Sequence, residues 1–186
     1  MHSGCILEKL IYCELMQATQ VHIKHLYISN GHNYFGRYGM TSLKHEIEEF
    51  DQIDLVEGKG IVGDRFFDYE EDYKGQITFF DWAIYERVKY EIVKGDLSPS
   101  KFRRNVIVEG IDLNSLIGKR FSLNGIEFTG SCECKPCFWM DEACADGTHE
   151  FLKGVGGLRA RVLNDGQLNL GDYGLQVLGD APLKDE

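Results

Sequence analysis

Along residues 21–29, "VHIKHLYIS", the side chains alternate, with Val21, Ile23, His25 and Tyr27 set against His22, Lys24, Leu26 and Ile28. This period of two, in β-branched and aromatic residues, predicts a strand. A Gly- and Asn-rich loop, "NGHNYFGRYG", follows at 30–39. After an acidic stretch and a Gly-punctuated turn at 58–63, "GQITFF" (75–80) predicts another strand. The period then changes. Asp81 is placed to cap a helix, and Ile84, Val88 and Ile92 share one helical face, so 82–95 predicts a single helix closed by Gly95. "FRRNVIVEG" (102–110) predicts a strand with two adjacent arginines, and 112–117 a short helical turn. "RFSL" and "IEFTG" flank Asn124-Gly125, the strongest hairpin signal in the chain. Residues 156–178 hold two more short strands around "NDG".

These elements total about seven to nine strands and two to three helices, mostly antiparallel. The expected fold is mainly β, a barrel with a few helical insertions. The 186 residues suit one domain, with 21 glycines and only 3 prolines for many tight turns. Residues 1–20 are expected to be an extension, with a short amphipathic helix over 5–16, and residues 21–180 the barrel. A net charge of -10 argues against nucleic-acid or anionic-membrane binding. No apolar run is long enough to span a bilayer, and the first twenty residues lack a basic, then apolar, leader pattern. The expectation is a cytoplasmic protein. In that compartment clustered cysteines are catalytic or metal-binding more often than disulfide-bonded.

Four of the six cysteines lie in "SCECKPCFWMDEAC" (131–144). Cys132, Cys134, Cys137 and Cys144 offer the soft ligand set of a zinc site, although such sites usually draw on two separated knuckles. Cys134-Lys135-Pro136-Cys137 is a C-x-x-C, the spacing of a redox pair, with a lysine beside it to favour a thiolate. Alternatively the cysteines are small buried hydrophobes, the expected role of Cys132 and Cys144. Arg65, Arg103, Arg104, Lys119, Arg120, Arg159 and Arg161 stand beside Gly-rich turns or strand ends. Guanidinium is suited to bidentate phosphate contact, and strand alternation would turn Arg103 and Arg104 to opposite faces. Surface salt bridges would also account for any one of them. "GVGGLRAR" (154–161) has the look of a phosphate-cradling glycine loop but lacks the Lys-Ser/Thr of a P-loop. Asp64 and Asp172 each follow a glycine and suit turns, and His149 suits a solvent-facing loop.

The order of these pieces carries more than any one of them. "GIVGDRFF", "GQITFF", a helix, "FRRNVIVEGIDLNSLIGKRFSLNGIEFTGS", "CKPC" and "GGLRARVLNDGQLNLGD" follow one another between about Val21 and Val177. The chain thereby resembles the MOSC family, named for the C-terminal domain of molybdenum cofactor sulfurases. The resemblance implies a β-barrel that binds the molybdenum cofactor, a pterin with a dithiolene and a terminal phosphate. It implies Cys137 as the molybdenum thiolate ligand or as a persulfide site; Cys132, Cys134 and Cys144 are not required by the family pattern, and the C-x-x-C spacing makes Cys134 the expected redox or persulfide partner. Arg65, Arg103, Arg104, Asn105 and Arg159 are the expected cofactor anchors, and Asp141 or Asp146 an expected proton source. The implied activity is reduction of N-hydroxylated or N-oxide substrates, or carriage of cofactor or sulfur, with a molybdoenzyme or an electron-donor protein as partner. A zinc-binding interaction module built on the four cysteines is the alternative.

Overall fold

The structure, a computed structural model, describes residues 18–33 and 43–181. The helix expected over 5–16 and most of the 30–39 loop lie outside the described residues. Eleven strands are described: β1 (Thr19–Ile28), β2 (Glu48–Phe50), β3 (Gln52–Val56), β4 (Gly60–Ile61), β5 (Ile77–Asp81), β6 (Val106–Glu109), β7 (Lys119–Leu123), β8 (Ile126–Glu133), β9 (Leu158–Val162), β10 (Gly166–Asn169) and β11 (Gly171–Asp180). Seven of them, in the order β11-β7-β8-β9-β5-β6-β1, close into a barrel through a β1–β11 pairing. All its pairs are antiparallel except β5 with β6. Strands β10, β3 and β4 form a small separate sheet. The barrel and the antiparallel bias are as expected, with more strands than the sequence signals show.

The hydrophobic residues divide between two cores. Inside the barrel Phe79, Phe121 and Phe128 pack with ring centroids 5.3–6.0 Å apart, and Ile53, Leu55, Ile61 and Leu168 of the small sheet join them. Edge-to-face and offset contacts at these separations suit the quadrupoles of the rings. Outside the barrel, Phe80, Tyr85, Phe102, Ile107, Met140 and Leu152 make a second core under the helical segments. Alternation along β5 sends Phe79 inward and Phe80 outward, so one strand feeds both.

Local geometry departs from the periodic pattern at three places. In β1 a bulge between Ile23 and His25 shifts the phase, so that Val21, Ile23 and Leu26 face the barrel core and Tyr27 the outer one. The expected 82–95 helix is α-helical only over α1 (Trp82–Arg87), then widens into a π-helical turn at Val88–Val93. It ends at Lys94 in a left-handed conformation rather than at Gly95, because Lys94 N–H closes back five residues onto Lys89 O at 2.8 Å. Asp81 caps it as expected, its carboxylate accepting from Ala83 N–H at 2.8 Å. Residues 102–105 are not a strand. A 3-10 turn at Pro99–Phe102 ends on Arg103 at φ 55°, and β6 begins only at Val106. Strand alternation therefore does not set where Arg103 and Arg104 point. Among the described residues no helix is long and apolar enough to cross a membrane.

Candidate anion and thiol site

One rim of the barrel gathers the end of β1, the start of β6, the start of β9 and the end of β8. Asn105 is its hub. The side chain is buried, its Oδ1 accepting from Thr78 N–H at 3.1 Å and from Thr78 Oγ1 at 2.7 Å. Its Nδ2 donates to Tyr27 O and to Asp64 Oδ2, both at 3.1 Å. The amide is thus spent on three chain segments and supports the site rather than facing a ligand. Asp64 does make the turn expected of it, accepting from Phe66 N–H at 3.0 Å. It also accepts from Ser29 N–H at 3.3 Å and lies 3.5 Å from the Arg65 guanidinium.

The arginines sit around this hub. Arg65, Arg103, Arg104 and Asn105 line one shallow cleft with Tyr27, Ile28, Ser29 and Ile47. The Arg65 side chain is only 10% exposed, and its Nε–H has no hydrogen-bond partner. Burial lowers the Arg65 pKa, opposed by Asp64 and reinforced by Arg104. Arg103 Nη2 donates to Ser29 Oγ at 3.0 Å and Gly31 O at 2.5 Å. Arg104 donates to Phe102 O, Cys134 O and Gly156 O at 2.8, 2.9 and 3.1 Å, which ties the cysteine loop to the rim. Arg159, facing outward from β9 opposite Thr78 and Cys132, donates to the Tyr73 hydroxyl at 3.2 Å and lies close enough to Cys134 to interact with it electrostatically. Burial alone would lower the Arg159 pKa, but Cys134 and Tyr73 carry it above the ordinary value.

The charge balance here differs from the rest of the surface. Arg87, Arg120 and Arg161 each pair with a carboxylate, at 3.0, 2.6 and 2.9 Å. At the rim, Asp64 alone stands against Arg65, and among the described residues neither Arg104 nor Arg159 has a carboxylate within ion-pair distance. Partly buried guanidinium without a counter-charge calls for an anion. The glycine loop does not supply further donors as its sequence suggested. Glu133 Oε1 already accepts from Gly154 N–H and Gly156 N–H, at 2.8 and 3.3 Å. Gly156 serves close approach instead. A Cβ there would lie 2.6 Å from Cys134 O and 2.9 Å from Pro136 Cδ.

The four cysteines do not converge. Cys134 is buried against Arg159, and Cys137 is exposed three residues further along the loop. Cys132 is half-buried across from Arg159 rather than in a core. Cys144 packs against the outer core as expected of a bystander, beyond helix α2 (Trp139–Ala143). Among the described residues no group of three or more His, Cys, Asp or Glu is placed to hold a metal ion, so the zinc clip loses its ligand geometry. Asp141 Oδ1 accepts from His149 N–H at 2.7 Å and so holds helix α3 (Thr148–Phe151), while Asp146 is exposed beside Gly147. Neither forms an ion pair with the arginine cluster. Asp172 lies in β11 and pairs with His22 at 2.7 Å.

Burial pushes the Cys144 thiol up to about 11, with Lys101 opposing and Asp141 adding. Its thiolate is therefore scarce at pH 8. Mass-mapped iodoacetamide labelling of the native protein at that pH should modify exposed Cys137 well before Cys144. Raising the pH toward 11 should bring Cys144 in. Cys144 labelling as fast as Cys137 at pH 8 would contradict its partly buried placement.

The model of the MOSC domain matches residues 68–173, more than half of the chain. Solved structures share the fold. YuaD from Bacillus subtilis superposes with a TM-score of 0.66 at 20% identity, over 84% of this chain and 94% of YuaD. A protein described as hypothetical superposes at 0.61 and 14% identity, over 89% and 71%. YiiM from Escherichia coli superposes at 0.55 and 15% identity, over 84% and 70%. No curated protein sequence matches. The sequence match runs from β5 through β10 into the start of β11 and includes the segment between Glu133 and Leu158 that carries Cys134, Cys137 and Cys144, and with it the chain belongs to the MOSC domain family.

Proposed function

We propose that this chain binds the molybdenum cofactor, with Arg65, Arg104 and Arg159 as the donors nearest the phosphate and Cys137 as the thiolate ligand of the metal. The observation that carries this reading is the rim of guanidinium groups where, among the described residues, Arg65 has Asp64 within ion-pair distance and neither Arg104 nor Arg159 has a carboxylate there, in a protein of net charge -10. The residues fit the group. The buried Arg65 Nε–H has an unused donor, and an anion beside it would compensate charge that the fold leaves open. The exposed Cys137 thiol is a soft ligand on the loop that Arg104 holds to this rim. Arg103 and Asn105 act one layer back, Asn105 by fixing Asp64 and the start of β6.

When bound, the cofactor supplies two-electron chemistry at the metal. The protein's own part is to hold the phosphate, to offer Cys137 and to keep the loop in place. Two versions of the activity are compatible with the exposed thiol: reduction of N-hydroxylated or N-oxide compounds, and carriage of cofactor or sulfur to a molybdoenzyme. Turnover of an N-hydroxylated base with an artificial electron donor supports the first. Transfer to an enzyme lacking cofactor, without turnover, supports the second.

The test of the binding itself is expression in a host that makes molybdopterin, followed by pterin-release fluorescence and elemental analysis. Native protein should carry both pterin and molybdenum. Cys137→Ala should lose most of the molybdenum. Equal molybdenum in both proteins removes Cys137 as ligand, and stoichiometric zinc in place of molybdenum returns the site to a zinc module.

A further inference from the structure

Beside the arginine rim lies a group of rings that belongs to neither core. Residues 64–73, between β4 and β5, bring Phe66, Tyr69 and Tyr73 together with centroids 5.1–5.4 Å apart. Phe66 and Tyr73 stack at 29°, and His32 meets Phe66 edge-on at 4.8 Å. Tyr69 is 59% exposed. The rings are wired to the arginines at two points. The Arg65 guanidinium lies 4.8 Å over the Phe66 ring, and the Tyr73 hydroxyl accepts from Arg159 at 3.2 Å. Holding a large ring in water without a core contact has no folding benefit, and here it happens next to the Arg159 guanidinium, which has no carboxylate within ion-pair distance among the described residues.

The segment is also fixed in shape. Asp64 takes Phe66 N–H at 3.0 Å, Asp68 N–H donates to Lys59 O at 3.0 Å, and Asp72 pairs with Arg161 at 2.9 Å. Asp68 and Asp72 adopt left-handed backbone, φ 52° and 53°, which turns the chain twice in ten residues. The ledge is thus built before any ligand arrives, which removes an ordering cost from binding. Arg65 covers Phe66, leaving the electron-rich exposed ring of Tyr69 for an electron-poor partner.

We propose that Tyr69, supported by Phe66 and Tyr73, seats a flat, electron-poor heteroaromatic ring carried by the same ligand whose phosphate the arginines hold. This rests on the anion reading of the rim and adds the ring end of the ligand to it. The shared chemistry is ring plus phosphate, which a pterin phosphate and a nucleotide both offer. A phosphate lacking a ring meets only the arginines.

The experiment titrates the full chain with a fluorescent pterin monophosphate, with AMP and with inorganic phosphate, using native protein, Tyr69→Ala and Tyr69→Phe. Tyr69 is exposed, so both variants should keep the native circular dichroism. Tyr69→Ala should weaken the ring-bearing ligand about five- to tenfold, and Tyr69→Phe should stay within about twofold of native. Inorganic phosphate should bind all three proteins alike. Tighter binding of the pterin phosphate assigns a pterin to the ledge, and tighter binding of AMP assigns a nucleotide. A Tyr69→Ala protein that keeps native affinity for both ring-bearing ligands overturns the ledge and leaves the anion site standing. A native protein that binds no inorganic phosphate removes the anion site, and the ledge proposal with it.

Discussion

Asn105→Ala is expected to lower the free energy of unfolding by about 3–5 kcal/mol, read as a fall in the urea midpoint at unchanged slope. The residue is buried, and its amide makes four hydrogen bonds to Thr78, Tyr27 and Asp64. Alanine removes the Nδ2 donor from the Tyr27 carbonyl and takes one donor from Asp64, which is nearly enclosed. Asn105→Asp has almost the same shape and should do no better. It would set a second carboxylate where an N–H now lies 3.1 Å from Asp64. A loss below about 1 kcal/mol for the alanine variant would mean that water replaces these bonds and that Asn105 is not the hub of the rim.

Gly156→Ala should cut cofactor content, measured by pterin release, about tenfold or more, with a much smaller effect on the urea midpoint than Asn105→Ala. The added methyl meets Cys134 O and Pro136 Cδ well inside contact distance, so the C-x-x-C loop has to move. That same Cys134 carbonyl is an acceptor for Arg104, and moving it releases the tether. Carboxymethylation should report the shift directly, with Cys134 labelling faster than in native protein. Unchanged labelling together with full cofactor content would show that the loop tolerates the methyl and that Gly156 is not a packing constraint.

The parts of this protein legible in its sequence are those written in local chemistry. Asn124-Gly125 supplies two left-handed residues, φ 48° and 90°, and the β7–β8 hairpin follows from them. Asp81 caps α1 because its side chain reaches a backbone N–H two residues on. The cluster of Arg65, Arg104, Arg159 and the C-x-x-C loop also had a local trace, arginines beside turns. What the sequence did not show was how each is used. Arg103 looked like a strand residue because "FRRNVIVEG" is continuous in pattern, and its left-handed backbone is set by the 3-10 turn before it. Asn105 looked like one more polar candidate, since its partners lie 27, 41 and 78 residues away. The glycines of 154–157 looked like a phosphate loop because the pattern records missing side chains and not the reason for their absence. Glu133 and the Cys134 carbonyl are the reason, and neither is near in sequence. The thiol facing the arginines is Cys134, while the resemblance singles out Cys137. One is exposed and the other buried, a difference that spacing alone does not show.

The barrel closes where Thr19 pairs with Leu175 and Ile23 with Gly171. Strand β1 also runs beside β6, which Arg103, Arg104 and Asn105 immediately precede. On a ribosome, β1 therefore has an open edge until β11 is made about 150 residues later, at a loop-closure cost typical of slow-folding topologies. Until then Val21, Ile23 and Leu26 have no closed barrel to fill, and the arginine rim has one wall loose. A nascent chain halted before β11 is thus the form of this protein most exposed to strand-edge aggregation and least able to hold an anion.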